Sequence, residues 1–321
     1  FPTRRSSDLF LVPKKRADTW RHALNLKLLN RFIRPRHFRM ESLKIILESI
    51  QPGSWAASLD LSDAYLHIPI SPDHWQFLQF HYRGTSYAFT ALPFGLSTSP
   101  RVFTRVTREL GRALRKQGIA IFMYLDDWII VDRSRRATAE ALQCTSRLAT
   151  ELGFLINLEK SHPRPTQFPS FLGASLDLRS GLARPTEERL LNVQQCVTLF
   201  LPIESAPARA WLRLLGLMAS LVDVVNFCRL RMRPIQLHLL SFYRPKHHDI
   251  NHLVPVSAWL RPHLRWWLAR PNLMQGKAFR KPCPTRTITT DASLSGWGAT
   301  LHPHQAAGSW DPRSEEHTSE L

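Results

Sequence analysis

The stretch that most restricts the fold is Ile119 to Val131, apolar and β-branched on both sides of the adjacent acids Asp126 and Asp127. Such residues favour strands, and a polar break inside an apolar run marks the tip of a hairpin. The run therefore predicts two antiparallel strands with both carboxylates at the turn. A third acid, Asp60, also has apolar neighbours. It lies at the start of a segment, Ser58 to Ile70, that predicts a strand running into a helical turn. Burying a carboxylate is costly unless a cation or hydrogen bonds compensate. Acids drawn from two separate strands suggest a divalent cation with hard oxygen ligands, Mg²⁺ in the first place and Mn²⁺ as a substitute. Taken alone, the Asp126-Asp127 pair reads more readily as an exposed acidic turn that binds nothing.

Of the 321 residues, 44% are hydrophobic, too many for a disordered basic tail and enough for a core. Lys and Arg number 43 against 25 Asp and Glu, a formal charge of +18 that points to a polyanionic partner, most often nucleic acid. At about 150 residues per domain, the length suggests about two domains. Cys144, Cys196, Cys228 and Cys283 lie far apart without a Cys-x-x-Cys pair. That excludes a disulfide framework or a cysteine zinc module and fits a reducing, intracellular compartment, cytoplasm and nucleus being indistinguishable. The most apolar stretch, Trp211 to Cys228, is broken by Arg213 and Asp223, so no membrane span is expected.

Both ends look foreign to the body. The DNA string AGATCGGAAGAG, a sequencing-adapter sequence, reads Arg-Ser-Glu-Glu, which matches Arg313 to Glu316. Its reverse complement, read one base in, gives Ser-Ser-Asp and a codon beginning CT, matching Ser6 to Leu9. Residues 1–9 and 313–321 are therefore expected to be adapter-derived, and 10–312 a fragment cut at both ends.

Along the body, residues 10 to 30 predict two short strands around the polar turn Arg16 to Thr19, and Leu43 to Ile50 a short helix stopped by Pro52-Gly53. Phe77 to Tyr82 and Tyr87 to Phe89 predict strands joined at Arg83-Gly84. A helix is expected from Ser99, with Ser99 as its cap, Pro100 in its first turn and Gly118 past its end. Val102, Phe103, Val106, Leu110 and Leu114 would form its apolar face. Arg101, Arg105, Arg108, Arg112 and Arg115 form one basic stripe, read as a solvated face before a nucleic-acid contact. Arg135 to Leu152 predicts a second helix and Phe168 to Leu178 a short hairpin. Beyond Arg184, the segments Thr186–Leu199, Ala208–Phe227 and Val256–Ala269 read as helical, and Thr287 to Asp291 as a strand.

The order of motifs gives this pattern a family. Tyr124-Leu125-Asp126-Asp127 resembles motif C of reverse transcriptases, Leu59-Asp60-Leu61-Ser62-Asp63-Ala64-Tyr65 resembles motif A, and Leu92-Pro93-Phe94-Gly95 running to Pro100 resembles motif B. Gly153-Phe154 with Lys160 resembles motif D, Phe171-Leu172-Gly173 the primer grip, and Pro13-Lys14-Lys15 with Trp20-Arg21 and Leu29-Asn30 the fingers. The resemblance covers roughly residues 10 to 180. It implies an α+β right-hand polymerase: fingers and palm over 10–183, a mostly helical thumb and connection over 184–284, and a truncated ribonuclease H-like start over 285–312.

The resemblance also implies roles. Asp60 and Asp126 would hold two Mg²⁺ ions, with Asp127 the supporting acid and the Leu61 carbonyl a backbone ligand. Lys15 (Lys14 less so) and Arg21 would clamp the triphosphate of a deoxynucleotide, aided by the backbone amides of Asp63 and Ala64. Tyr65 would stand against the sugar and exclude a 2′-hydroxyl; Phe94 belongs to the same nucleotide site. Lys160 would protonate the departing pyrophosphate, and Phe171, Leu172 and Gly173 would grip the primer on an RNA or DNA template. Retroviral enzymes commonly carry Gln where Phe94 stands, so the chain resembles a retrotransposon enzyme. Trp128 and the Asp291-Ala-Ser…Gly-Trp-Gly-Ala run are similar to tyrosine-recombinase, DIRS-like elements. Asp291 would be the first metal ligand of a ribonuclease H-like domain whose further acids are missing, so no ribonuclease activity is expected. Two other readings compete: a decayed or domesticated nucleic-acid-binding module of the same fold, and an RNA-dependent RNA polymerase, against which Tyr65 argues.

Overall fold

In a computed structural model, which describes residues 9–13, 20–34, 36–280 and 285–310, the chain opens with two antiparallel strands. These are β1 (Leu9–Pro13) and β2 (Trp20–Leu24). Residues 14–19, which span the expected polar turn and include Lys14 and Lys15, lie outside the described residues, as do 1–8 and 311–321. The segment after β2, expected to stay extended, is instead a helix, α1 (Lys27–Phe32). Its sequence is rich in helix formers, and Asn30 pins it. The Asn30 amide donates to Gly95 O at 2.9 Å and its Oδ1 accepts from Ser97 N at 2.9 Å.

Helix α2 (Leu43–Ser49) is capped by Ser42, whose Oγ accepts from Ile45 N, and leads to β3 (Trp55–Asp60). A 3₁₀ turn follows at Ala64–His67, and a second at Pro72–Leu78 delays β4 (Gln79–Tyr82) beyond Phe77. Strand β5 (Thr85–Ala88) pairs with β4 through Arg83-Gly84, both at positive φ as a two-residue hairpin turn prefers.

Helix α3 (Ser99–Lys116) begins as expected, but Thr98 holds the cap position. The Ser99 hydroxyl is buried and donates to Pro93 O at 2.9 Å instead. The buried face is Phe103, Thr107, Leu110, Gly111 and Leu114, steps of three and four that leave Val106 exposed. The basic stripe is partly engaged within the protein: Arg115 donates to Ile121 O and Glu41, and Arg112 pairs with Glu109. Strands β6 (Ala120–Tyr124) and β7 (Asp127–Asp132) form the acid-tipped hairpin, followed by α4 (Arg135–Glu151), capped by Ser134, and β8 (His162–Thr166).

The sheet order is β6-β7-β3-β8, with α3 against β6 and α4 across the other three strands. β7 explains why its sequence is continuously apolar rather than alternating. Trp128 and Ile130 enter a core with Phe103, Leu114 and Phe154, while Ile129 and Val131 enter a second core with α2 and the C-terminal helices. Both faces are covered, so both must be apolar.

A second sheet, ordered β14-β11-β10-β9, consists of β9 (Ser170–Phe171), β10 (Ala174–Asp177), β11 (Leu182–Pro185) and β14 (Lys277–Ala278). Between β11 and β14 run α5 (Glu187–Phe200), β12 (Ser205–Pro207), α6 (Ala208–Ala219), α7 (Cys228–Phe242), β13 (Leu253–Pro255), α8 (Arg261–Arg265) and α9 (Arg270–Met274). The helix expected to reach Phe227 stops at Ala219. Leu221, Val224 and Val225 continue its buried pattern through turns, and Phe227, at φ +55, starts α7. α7 was masked in the sequence by Pro234, which it carries internally. The expected helix Val256–Ala269 is broken into short 3₁₀ and α turns around Pro262.

The chain divides into two compact units, Phe1–Phe279 and Arg280–Leu321. The second contains an antiparallel meander of β15 (Thr289–Ala292), β16 (Gly296–Leu301) and β17 (His304–Ser309).

Candidate active site

Register alone brings two of the acids face to face. β3 and β7 pair so that Asp60 lies opposite Asp127 and Leu59 opposite Trp128. Tyr124 pairs with Asp127, leaving Leu125-Asp126 as a two-residue turn. Leu125 takes φ +53, a left-handed backbone that costs a non-glycine residue about 1–2 kcal/mol. Two hydrogen bonds hold it there. The buried indole of Trp128 donates to Leu125 O at 2.9 Å, and Leu61 N donates to Asp126 O at 3.0 Å. Asp60 is clamped from its other side. Its amide donates to Ser161 Oγ at 3.0 Å, Ser161 Oγ donates to Asn157 O at 2.7 Å, and Asn157 N donates to Asp60 O at 2.8 Å. Asn157 and Ser161 escaped the sequence reading. Their signal was the Asn157-Leu-Glu-Lys-Ser161 turn, where the Asn157 side chain accepts from Lys160 N.

The electrostatics are those of crowded, half-dried carboxylates. Asp60 is 8% exposed, and its Oδ1 is buried with no hydrogen-bond partner among the described residues. Burial raises its carboxyl above the ordinary range, opposed by Lys160, whose Nζ lies 3.7 Å from Oδ1. That separation makes an ion pair but is too long for a hydrogen bond. Asp127 is pushed up to about 6, by burial first and then by Asp126 and Asp60. Asp126 therefore acts on both Asp60 and Asp127, and Asp60 acts on Asp127. They are not arranged as a ready-made cage: among the described residues no three His, Cys, Asp or Glu side chains are grouped closely enough to hold a metal ion. The backbone register thus brings Asp60 and Asp127 opposite each other with Asp126 in the adjoining turn, while the side chains do not form a shared cage among the described residues. The donor set itself suits a hard divalent cation: carboxylate oxygens, one of them buried and unpartnered. Leu61, one residue past Asp60, is tied to the same turn through its amide.

A second group of expected residues also assembles. Tyr65 is buried, its ring 4.8 Å from Phe94 and edge-on to Phe103 at 5.7 Å. The Arg21 guanidinium lies over the Phe94 ring at 4.4 Å, a cation–π contact, with its Nε buried and unpartnered among the described residues. Burial raises the Tyr65 phenol, with Asp126 adding to the effect and Arg21 opposing it. Arg21, Phe94, Tyr65 and Asp126 therefore share one neighbourhood. Asp63, at φ +46, turns the chain from β3 into the Ala64–His67 3₁₀ turn. His67, not foreseen, closes that turn. Its Nε2 accepts from Leu155 N at 2.9 Å, so Nδ1 carries the proton and donates to Ala64 O at 3.0 Å.

Other expected residues stand elsewhere. Phe171 pairs with Ala174, so Leu172-Gly173 is a tight turn at φ +48 and +73 in the second sheet. Lys15 lies outside the described residues. Asp291 sits in β15 of the second unit, exposed and opposite Gly298; it is the only Asp or Glu between residues 280 and 310.

Residues 12–176 match a family model described as reverse transcriptase (RNA-dependent DNA polymerase). Protein P of duck hepatitis B virus (isolate brown Shanghai duck S5) is 29% identical over 184 residues, 55% of this chain and 23% of that protein. The Pro-Pol polyprotein of feline foamy virus is 28% identical over 196 residues, 60% of this chain and 16% of the polyprotein. Among solved structures, the foamy viral protease-reverse transcriptase dRH in complex with double-stranded DNA aligns at TM-score 0.70 and 18% identity, over 97% of this chain and 53% of that one. The foamy viral protease-reverse transcriptase in complex with RNA/DNA hybrid aligns at TM-score 0.69 and 18% identity, over 97% of this chain and 40% of that one. The matched region is at most about a quarter of each curated relative, and the structural likeness shows a shared fold.

Proposed function

Because the chain belongs to the reverse transcriptase (RNA-dependent DNA polymerase) family, we propose that it extends a primer on an RNA or DNA template with deoxynucleoside triphosphates. The observation that carries this reading is the Asp60–Asp127 register with Asp126 in a pinned turn, beside the Arg21–Phe94–Tyr65 stack. The primer 3′-oxygen bonds to the α-phosphorus, the bond from that phosphorus to the β-phosphate bridging oxygen breaks, and pyrophosphate leaves.

Asp60 and Asp126 would hold two Mg²⁺ ions, Mn²⁺ substituting, with Asp127 in support and the Leu61 carbonyl as a further ligand. Bound there, the metals supply activation of the attacking hydroxyl and neutralisation of the leaving phosphate. The protein's own residues do the rest. Arg21 and Lys15 hold the triphosphate, with the Asp63 and Ala64 amides. Arg21 is aimed by its stack on Phe94. Tyr65, packed between Phe94 and Phe103, cannot swing away from the sugar and so excludes a 2′-hydroxyl. Lys160 Nζ, already beside Asp60, gives a proton to the departing pyrophosphate. The Phe171-Leu172-Gly173 turn seats the primer. The excess of cations holds the duplex through its phosphates, making binding tolerant of sequence.

Phe94 in place of Gln, Trp128 after the acids, and the Asp291 run support an origin in a retrotransposon of DIRS-like type, working inside the cell. The test is primer extension with Mg²⁺ on an RNA template, with Asp126→Asn as control. Extension that the substitution abolishes supports the proposal. Duplex binding without extension by the wild type refutes it in favour of a binding module.

A further inference from the structure

Outside the acidic centre, one charged side chain joins the Leu172-Gly173 turn to the end of a helix. Arg189 lies on the first turn of α5, half-buried. Its guanidinium packs against Gly173 so closely that a methyl group there would collide with Nε, Cζ and Nη2. Its Nη1 donates to Ser220 O at 3.1 Å. Ser220 terminates α6, its amide bonded to Gly216 O, so the carbonyl that Arg189 takes lies at the negative end of the helix dipole. The same turn of α5 is tied to the hairpin a second time, through Thr186 N to Gly173 O at 3.3 Å. One flat cation thus has its face on the Leu172-Gly173 turn and its edge on the end of α6. A lysine could supply the charge but not the plane.

We propose that Arg189 is a positioning residue that couples the end of α6 to the turn on which the primer terminus rests. The inference rests on the polymerase reading, which gives the turn its work. Gly173 is then required twice, once for φ +73 and once because only a hydrogen leaves room for the guanidinium. A displacement of α6 reaches the turn through Arg189 rather than through the acids, so Arg189 governs where the primer end sits and leaves nucleotide binding untouched.

The test compares the full chain with Arg189→Ala, Arg189→Lys, Gly173→Ala and the double variant Gly173→Ala/Arg189→Ala. Extension kinetics and anisotropy of a fluorescent RNA–DNA primer–template are measured on each. Arg189→Ala is expected to raise the primer–template KM and Kd by about tenfold, within the range of couplings between contacting residues. The deoxynucleotide KM and kcat should stay within about twofold. Arg189→Lys should give no rescue beyond about half of the loss on a logarithmic scale. Gly173→Ala should weaken the primer at least as much, because it adds the strain of φ +73, and the double variant should be no worse than Gly173→Ala alone, because both substitutions remove the same contact. Unchanged primer–template affinity in Arg189→Ala, full rescue by lysine, or additive losses would each overturn the inference. A wild type that binds the duplex but does not extend it sinks the polymerase reading, while the affinities still decide the role of Arg189.

Discussion

Asp127 offers the sharpest quantitative test of the site, because its burden on folding can be separated from its role in chemistry. Its carboxyl is pushed from an ordinary 3.8 to about 6, by burial first and then by Asp126 and Asp60. A rise of about two pH units corresponds to about 3 kcal/mol favouring the protonated form in the folded state. Asp127 is only partly buried, so solvent screening reduces this to about 1–2 kcal/mol. The sign follows from proton linkage: the folded state binds the proton more tightly than the unfolded one. Above about pH 6 the folded protein carries an ionised, poorly solvated carboxylate and the full penalty. As pH falls from 6 towards 4 the penalty fades, since the carboxyl is protonated in the folded state. Asp127→Asn should therefore stabilise the protein at pH 8 by about 1–2 kcal/mol, a rise in melting temperature of about 2–6 °C for a body of this size. The gain should shrink to near zero at pH 4. Paired urea titrations of wild type and variant in a chelator at pH 8, 6 and 4 measure it, and general acid denaturation cancels in the difference. A variant less stable than wild type at pH 8, or a gain equally large at pH 4, would refute the account of Asp127 as a carboxylate held against its own solvation.

Three further outcomes follow from the same geometry. Tyr65→Ala should open the wall against the sugar and admit ribonucleotides; if wild type already prefers ribonucleotides in single-nucleotide incorporation, the role given to Tyr65 is wrong. Trp128→Phe removes the donor to Leu125 O while keeping most of the packing, and should cost about 1–3 kcal/mol in urea titrations together with most of the extension rate. Gly95→Ala places a methyl against Leu24 O at a backbone of φ +103, pushing β2 from the Phe94 loop. Its deoxynucleotide KM should rise about tenfold or more with little change in primer affinity, and equal effects on both would argue against the Arg21–Phe94 stack as the triphosphate clamp.

What could be read from the sequence was whatever local chemistry or period dictates. The hairpin of β6 and β7 was readable because β-branched residues flank two acids. The helices α3 and α4 were readable from apolar steps of three and four, and the order of motifs located Asp60, Tyr65 and Phe94. Errors arose where distant contacts decide. Ser99 does not cap α3 because Pro93 O, brought near by the loop, takes its hydroxyl, and Thr98, in the cap position, makes no side-chain capping bond. α1 exists because Asn30 bonds to Gly95 and Ser97, more than sixty residues on. α7 was hidden because Pro234 is an unfavourable helix residue, yet Met232, Ile235 and Leu239 bury one face strongly enough to keep the helix. The turn holding Asn157 and Ser161 has a local signature, but their bonds to the Asp60 backbone, like that of His67 to Leu155, join distant segments that no local pattern links.

The site thus combines two groups of residues with opposite effects on stability. The acids are a burden: Asp127 and Asp60 are both held above their ordinary range, and Asp60 Oδ1 is buried without a hydrogen bond among the described residues. Leu125 adds strain at the turn. Neutral groups offset this locally, namely the Trp128 indole, the Leu61 amide and the Asn157–Ser161 clamp on the Asp60 backbone. β7, buried between two cores, anchors the turn they hold. Such a division separates two kinds of inactivating substitution without any knowledge of the reaction. Asp127→Asn is expected to abolish extension while gaining stability, whereas replacing Trp128 or Ser161 is expected to lose both. The two signatures arise from physically different sources, since one relieves a desolvated charge and the other releases the backbone that kept the charge in place.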